Sequence, residues 1–228
     1  MDSIENETET ETETGGRARR ARATRDAIAD AAERLFAEHG VDNVSHRQIS
    51  TAAGQGNNAA VGYHFGTTED LLRAIVQRHA RDVDVARTRL VDEVEADPAA
   101  RGDVRAWVRC LVRPTAEHLQ SLGSPTWWAR LSAQLATDPR HRTSVVDEAM
   151  ASSSLQRTVE GFWSCLSDLP ADVRAERSEM SRILGVHVFA EREAALAEGR
   201  STPRSSWSQC ADGLTDALVG LWLAPVSR

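Results

Sequence analysis

From Thr24 to Val94 the apolar residues recur three and four positions apart, punctuated by glycines and capping residues rather than by strand-like alternation. That spacing constrains the chain more than any other feature, because it admits helices and little else. Ile28, Ala32, Leu35 and Phe36 line one face of a first helix, with Gly40 at its C-terminal cap position. Ser45 followed by Gln48 is a capping box, which opens a short second helix with Ile49, Ala52 and Ala53 on its buried side and a stop at Gly54. Asn57 or Asn58 caps a third helix that holds Val61 and Phe65. Thr67 with Asp70 repeats the capping pattern. Leu72, Val76, His79, Val83, Ala86, Leu90 and Val94 then predict one long helix ending near Asp97-Pro98.

Helical spacing persists to the end of the chain. Pro114 predicts a kink in a helix from about Asp103 to Leu122. Ser124-Pro125 and Asp138-Pro139 each read as a cap followed by proline in a first turn. Another helix carries Leu155, Val159, Phe162 and Trp163 ahead of Pro170, and two long amphipathic segments, 171–198 and 205–224, follow. With no alternating run, no Asn-Gly hairpin and no internal repeat, the expected fold class is all-α. A length of 228 residues, 41% of them hydrophobic, supplies a real core and excludes a disordered or collagen-like chain.

Charge divides the chain. The formal net charge is −7, yet Asp2, Glu5, Glu7, Glu9, Glu11 and Glu13 all fall within residues 1–16, which leaves the rest near neutrality. This Glu-Thr alternation is expected to be a disordered acidic tail. An arginine arm follows at Arg17, Arg19, Arg20, Arg22 and Arg25. The chain contains no lysine, so any contact to phosphate is an arginine contact. Cys110, Cys165 and Cys210 are far apart and odd in number, which argues against both a disulfide framework and a zinc site. The start has no signal pattern, and the most apolar stretch, Leu214 to Val226, is short and broken by Asp216. The expectation is a soluble, cytoplasmic protein with no membrane partner.

The short link Gly54-Gln55-Gly56 between the second and third helices makes a helix-turn-helix, whose third helix can enter a DNA major groove. From Thr24 to Leu72 the chain resembles the TetR family of bacterial transcriptional repressors. The likeness runs through Ala-Glu-Arg-Leu-Phe at 32–36, His39-Gly40, the segment from Ser45 to Gly54, and Tyr63-His64-Phe65-Gly66 followed by Glu69 and Leu71-Leu72. Two features depart from the family pattern: the turn Gln55-Gly56-Asn57-Asn58 is one residue longer, and Thr68 stands where many members carry lysine. The expected organisation is the tail at 1–16, the arginine arm and helix-turn-helix domain at 17–70, and a helical effector-binding and dimerisation domain at 71–228.

Candidate DNA contacts follow from chemistry and from the resemblance. Tyr63, the one tyrosine, and His64 can hydrogen-bond phosphates or lie against sugars, unless Tyr63 is half-buried against the first helix. Asn57 and Asn58 can bond base edges or phosphates as well as cap, and Gly62 lies where the family approaches bases. Arg22, Arg25 and Arg47 suit phosphates. Ser45, Gln55 and Thr68 complete the set that the resemblance implies. Gly54-Gln55-Gly56-Asn57-Asn58-Ala59 also fits a dinucleotide-binding turn, but that motif needs a preceding strand and a helix precedes it here.

No nucleophile elbow, P-loop or H-E-x-x-H motif occurs, and His187 with Glu191 lacks a third ligand, so the chain is read as no enzyme, with no catalytic residue, metal or cofactor. A helical enzyme or adaptor that carries a helix-turn-helix without operator binding is the competing class. All six tryptophans lie after residue 100. The resemblance implies an effector cavity in this region, for which Trp107, Cys110, Leu111, Trp128, Leu131, Phe162 and Trp163 are the candidate lining. The last two segments present Met180, Ile183, Leu184 and His187, then Trp207, Leu214, Leu218, Leu221 and Trp222, at helical spacing. These stripes either pack inward or, as the resemblance implies, build a homodimer through a four-helix bundle. The implied protein is a repressor released from a palindromic operator on double-stranded DNA by a small apolar effector.

Overall fold

Helix ends in this chain are fixed by side chains close to them in sequence, and in several cases by a side chain far away. The computed structural model describes residues 2–141 and 151–227, with side chains from Gly16 onward. Every regular element among the described residues is helical. The chain divides into two units, residues 1–75 and 76–228, with the boundary inside a helix.

In the first unit, α1 spans Asp2–His39 and buries Ile28, Ala32 and Phe36, while Leu35 is half-buried. Its helical backbone begins in the segment that the sequence reads as a disordered tail. Glutamate is a good helix former, no proline interrupts the segment, and acids near a helix N-terminus complement its dipole. Gly40 then turns the chain at a φ of 84°, a backbone that L side chains rarely adopt. Next, α2 spans His46–Ala52, opened by the Ser45 capping box: the Gln48 N–H donates to Ser45 Oγ at 3.3 Å and the Ser45 N–H to Gln48 Oε1 at 2.8 Å. Its buried side is Ile49 with Ser50, whereas Ala52 is exposed and Ala53 half-buried. Ser50 tolerates burial because its hydroxyl donates to the Asn58 carbonyl.

α3 spans Ala60–Phe65, so the link from α2 runs from Ala53 to Ala59 and is longer than the Gly54-Gly56 turn expected. The extension has a local cause. Asn57 Oδ1 accepts from the Ala59 N–H at 2.9 Å and the Asn57 carbonyl from the Ala60 N–H at 3.0 Å, an Asx turn that delays the helix. α4 spans Thr68–Ala96 and opens on Thr67, whose hydroxyl accepts from the Asp70 N–H at 3.1 Å. Its residues Leu71, Leu72 and Ile75 complete the first core.

The second unit takes up the rest of α4 and continues with α5 (Pro98–Arg101), α6 (Val104–Ser121) and α7 (Trp128–Thr137). Asp97 and Asp103 cap α5 and α6, and Pro114 sits buried inside α6. The helical turn that starts at residue 139 follows Asp138 as expected, and its continuation lies outside the described residues. After it come α8 (Ser153–Ser164), α9 (Ala171–Ala197) and α10 (Trp207–Leu223). α10 packs on α6, α9 on α7, and α8 on α6. Along α8 the most buried residues are Ser154, Thr158 and Phe162, while Leu155, Val159 and Trp163 are half-buried. Ser154 Oγ donates to Asp84 at 2.6 Å and Thr158 Oγ to the Ser154 carbonyl at 2.7 Å, which satisfies this polar face.

Ser124-Pro125 does not start α7, which begins three residues later. The cap comes from α9: the Glu193 carboxylate, 2% exposed as a residue, accepts from the Ala129 N–H at 3.1 Å, the Arg130 N–H at 2.9 Å and the Thr126 hydroxyl at 2.8 Å. Arg130 Nε adds an ion pair at 3.2 Å. A carboxylate against two free helix N–H groups is favoured by hydrogen bonding and by the helix dipole. Near the other end of α9, the buried Arg177 guanidinium donates to the carbonyls of Trp222 and Ala224, both at 2.7 Å, and so closes the C-terminus of α10. We expect Glu193→Ala to cost about 3 kcal/mol, because it leaves Thr126, Arg130 and two amides without their acceptor. Urea unfolding monitored by tryptophan emission measures it, and a loss under about 1 kcal/mol would contradict this role.

Candidate functional site

The exposed face of the helix-turn-helix consists of the α2–α3 link and α3 itself. Tyr63 is 85% exposed, so it is not packed against α1, and its ring meets the half-buried His64 ring edge-on at 5.0 Å. Asn58 is exposed and its side chain makes no bond within the described residues. Asn57 is exposed and spends its side-chain oxygen on the Asx turn, so neither asparagine caps α3: the N-cap position is Ala59, which makes no side-chain cap bond, because the turn delays the helix by two residues. At Gly62 a Cβ would meet nothing within 4 Å, and its φ is not positive. The fold therefore does not require glycine there, although glycine inside an exposed helix costs about 1 kcal/mol relative to alanine.

Other sequence candidates are engaged inside the unit. The Arg25 guanidinium donates to the His64 carbonyl and lies 4.0 Å over the Phe65 ring centroid. Instead of standing free as part of an arm, it braces the C-terminal end of α3, where a cation complements the free carbonyls. Ser45 holds its capping box, and the half-buried Gln55 donates its amide to the Ala53 carbonyl at 3.1 Å. Thr68 Oγ1 pairs with His46 Nε2 at 3.0 Å, which ties the start of α4 to the start of α2. Arg22 and Arg47 are exposed. Thr67 and Arg73 hydrogen-bond Asp70, and the Thr67 bonds above all hold its carboxyl below the usual range.

In the second unit the seven candidate pocket residues are mostly packed against their neighbours. Trp107 donates its indole N–H to the Arg101 carbonyl at 3.0 Å and lies so close to Gly161 that a Cβ there would stand 2.2 Å from the ring. Phe162 and Trp163 form an aromatic cluster with Trp222, at centroid separations of 4.9 and 5.3 Å. Trp128 stacks at 4.1 Å on His79, whose Nδ1 is 2.7 Å from His118 Nε2. Leu131 is fully buried and Leu111 half-buried. Burial pushes the Cys110 thiol up to about 11, so it is neutral at physiological pH and no nucleophile. An open groove of about 530 Å³ lies elsewhere, between α9 and α10, and none of the seven lines it.

The two terminal stripes separate. On α9, Met180 and Ile183 are each 44% exposed, Leu184 is half-buried and His187 exposed. On α10, Leu214, Leu218 and Trp222 are buried in the chain's own core, as is Trp207, and only Leu221 is half-exposed. These three α10 positions are therefore corrected from interface to core, because α10 turns its apolar side onto α6. Sequence reasoning did not single out Arg177, Arg192 and Glu193, which the structure buries. The signal available was the apolar stripe at 180–187, which leaves the opposite side of α9 polar yet facing the core. No group of three candidate metal ligands comes together among the described residues, and no helix among them is long and apolar enough to cross a membrane.

The two asparagines make separable predictions. Asn57→Ala should cost about 1 kcal/mol of stability, because a turn N–H loses its acceptor, whereas Asn58→Ala should stay within about 0.5 kcal/mol of the parent. Urea denaturation compares them, and equal effects would contradict a structural role for the Asn57 turn.

Comparison with known proteins bears on the first unit above all. Residues 28–75 match the family model described as bacterial regulatory proteins, tetR family. No curated protein matches the chain in sequence. Among solved structures, the chain is similar to a tetR family transcription regulator from Shewanella sp. PV-4, at 18% identity over 90% of this chain and 99% of that one, with a TM-score of 0.55. It is also similar to the TetR family transcriptional regulator PfmR from Thermus thermophilus, at 20% identity over 88% and 99% of the two chains, with a TM-score of 0.46. The first of these supports the fold across both units. The likeness to bacterial regulatory proteins of the tetR family is thus carried by residues 28–75.

Proposed function

We propose that the chain is a cytoplasmic, homodimeric repressor that binds a palindromic operator through α3 and is released by a small-molecule effector. The observation that carries this reading is the open face of α3. An aromatic phenol almost fully in solvent, an unengaged asparagine amide and a glycine without a steric reason stand together on the exposed side of a helix-turn-helix. A phenol donates to phosphate, an amide pairs with adenine, and a missing side chain lets the helix come close to base edges. Thr68 and Arg25 act in this reading as struts that hold α3 in place, and Arg22 and Arg47 remain for phosphates.

Dimerisation rests on α9. A stripe of Met180, Ile183, Leu184 and His187 in water is costly for a monomer, and an isologous partner covers it. Leu221 of α10 extends the same reading. Two copies would present two α3 helices to successive major-groove faces, which a palindrome matches. Release follows if an effector binds the second unit more tightly in a conformer that DNA does not favour, and linkage makes the antagonism reciprocal. In the competing class, a helical enzyme or adaptor, operator binding would be absent.

Gly62→Ala separates function from stability. We expect the variant to be more stable by up to about 1 kcal/mol in urea, yet to bind a selected operator duplex about tenfold more weakly or worse at fixed salt. Unchanged DNA affinity would remove Gly62 from the interface. For the dimer, Ile183→Glu with Met180→Glu should yield folded monomers in sedimentation velocity, because both side chains are surface-exposed within one chain. A dimer that survives both charges would move the interface off α9.

A further inference from the structure

Two buried imidazoles meet where α4, α6 and α7 converge in the second unit. His79 of α4 and His118 of α6 are both buried, and His79 Nδ1 lies 2.7 Å from His118 Nε2. At that separation one nitrogen carries a proton and the other accepts it. The His79 ring stacks on the Trp128 indole at 4.1 Å, and Trp128 stands at the start of α7 that Glu193 closes. Other side chains also bridge α4 to α6: Arg87 Nε donates to the Cys110 carbonyl at 3.2 Å, and Arg89 pairs with Glu117 at 3.0 Å. Imidazole is the side chain that ordinarily changes charge between about pH 5 and pH 8, so of these bridges the histidine pair is the one that mild acid can address.

The charges around the pair are placed to admit a proton. His118 Nδ1 faces the Asp82 carboxylate at 3.8 Å, which favours a proton on that nitrogen, and Asp82 is itself 65% exposed, so the pair stands one residue from water. Glu117, next to His118 in the chain, is held by Arg89 and Arg113. Along α4, Asp84 accepts from Ser152 and Ser154, Arg87 is turned to Cys110, Arg78 is half-buried and engaged, and Arg81 is exposed. From α7 comes the neutral indole of Trp128, while Arg130 is paired with Glu193.

We propose that the His79–His118 pair is an acid-sensitive latch between α4 and α6. Two of the four ring nitrogens share one proton in the bond, and the outer two can hold one each. The closed pair therefore takes up to three protons, one more than two neutral imidazoles carry. A fourth has to go onto the accepting nitrogen of the bond. Both facing nitrogens are then donors, and two cations meet in a buried space without an acceptor between them. The bond is lost and the rings part, which frees the second-unit length of α4 from α6 and opens the stack on Trp128. The latch lies within the second unit and does not depend on the DNA reading.

The test is hydrogen exchange of the full chain, read by mass spectrometry at about pH 7.5 and about pH 5 and corrected for the intrinsic pH dependence of exchange. Peptides from 76–94 and from α6 should lose protection about tenfold or more in acid. His118→Gln places an amide that can donate or accept where Nε2 stood, so it keeps the bond in every protonation state, and its acid loss should stay under about threefold. Asp82→Asn, a change at the surface, removes the charge that favours a proton on His118 and should move the loss to lower pH. Equal protection at both pH values in the parent, or the same acid loss in the parent and in His118→Gln, would overturn the proposal. Should His118→Gln fail to fold, Asp82→Asn decides, and an acid loss that stays at the parental pH would count against the latch.

Discussion

One buried carboxylate organises the second unit. Glu193 stands on α9 and closes the N-terminus of α7 through two amides, a hydroxyl and a guanidinium. A helix start inside a core must satisfy its free N–H groups, and no residue next to Trp128 does so, since its N-cap Trp127 makes no side-chain cap bond. α7 can therefore begin where it does only if α9 is in register beside it. Arg177 does the converse for α10, meeting its last carbonyls with a cation. The same helix thus fixes one neighbour by its start and another by its end.

This arrangement sets the surface chemistry. With Arg177, Arg192 and Glu193 turned inward, α9 has its Met180–Ile183 stripe left over and turned outward. An amphipathic helix that shows apolar residues to water and charges to the core is inverted relative to an ordinary surface helix. The inversion leaves the outer stripe for a second copy in the proposed dimer, while Arg192 lies over Trp207 and donates to Thr202 within the unit.

The fold class and the helix order were legible in the sequence because they rest on local rules. Ser45, Thr67, Asp97, Asp103 and Ser152 cap helices through bonds no more than three residues long, and such caps can be seen in a string of letters. The helix-turn-helix was legible for the same reason. The α7 start was not, since its cap lies in residues far along the chain. Nor was the buried face of α8, where Ser154 and Thr158 are tolerated only because Asp84 and a backbone carbonyl receive their hydroxyls. Periodicity places an apolar residue on a face and says nothing about which face the core takes. Leu214, Leu218 and Trp222 therefore read equally well as interface and as core until α6 was seen beneath them. On the exposed face of the helix-turn-helix, composition could name Asn57 and Asn58 together, but only the Asx turn separates the one that closes the link from the one left free.

The first unit is built to hold a short helix still. Arg25 at its C-terminal end, the Asn57 turn before it, and the His46–Thr68 contact between α2 and α4 all restrict α3, while Asn58, Gly62 and Tyr63 keep no obligation to the fold. Restraint of the backbone with freedom of the contact face is what rigid docking into a groove requires. Hydroxyl-radical footprinting on duplex selected from a random pool addresses this directly. The account predicts two protected patches on one face of the duplex, centred about one helical turn or a multiple of it apart and lost together when α3 is altered. A single patch, or protection unaffected by changes in α3, would contradict it.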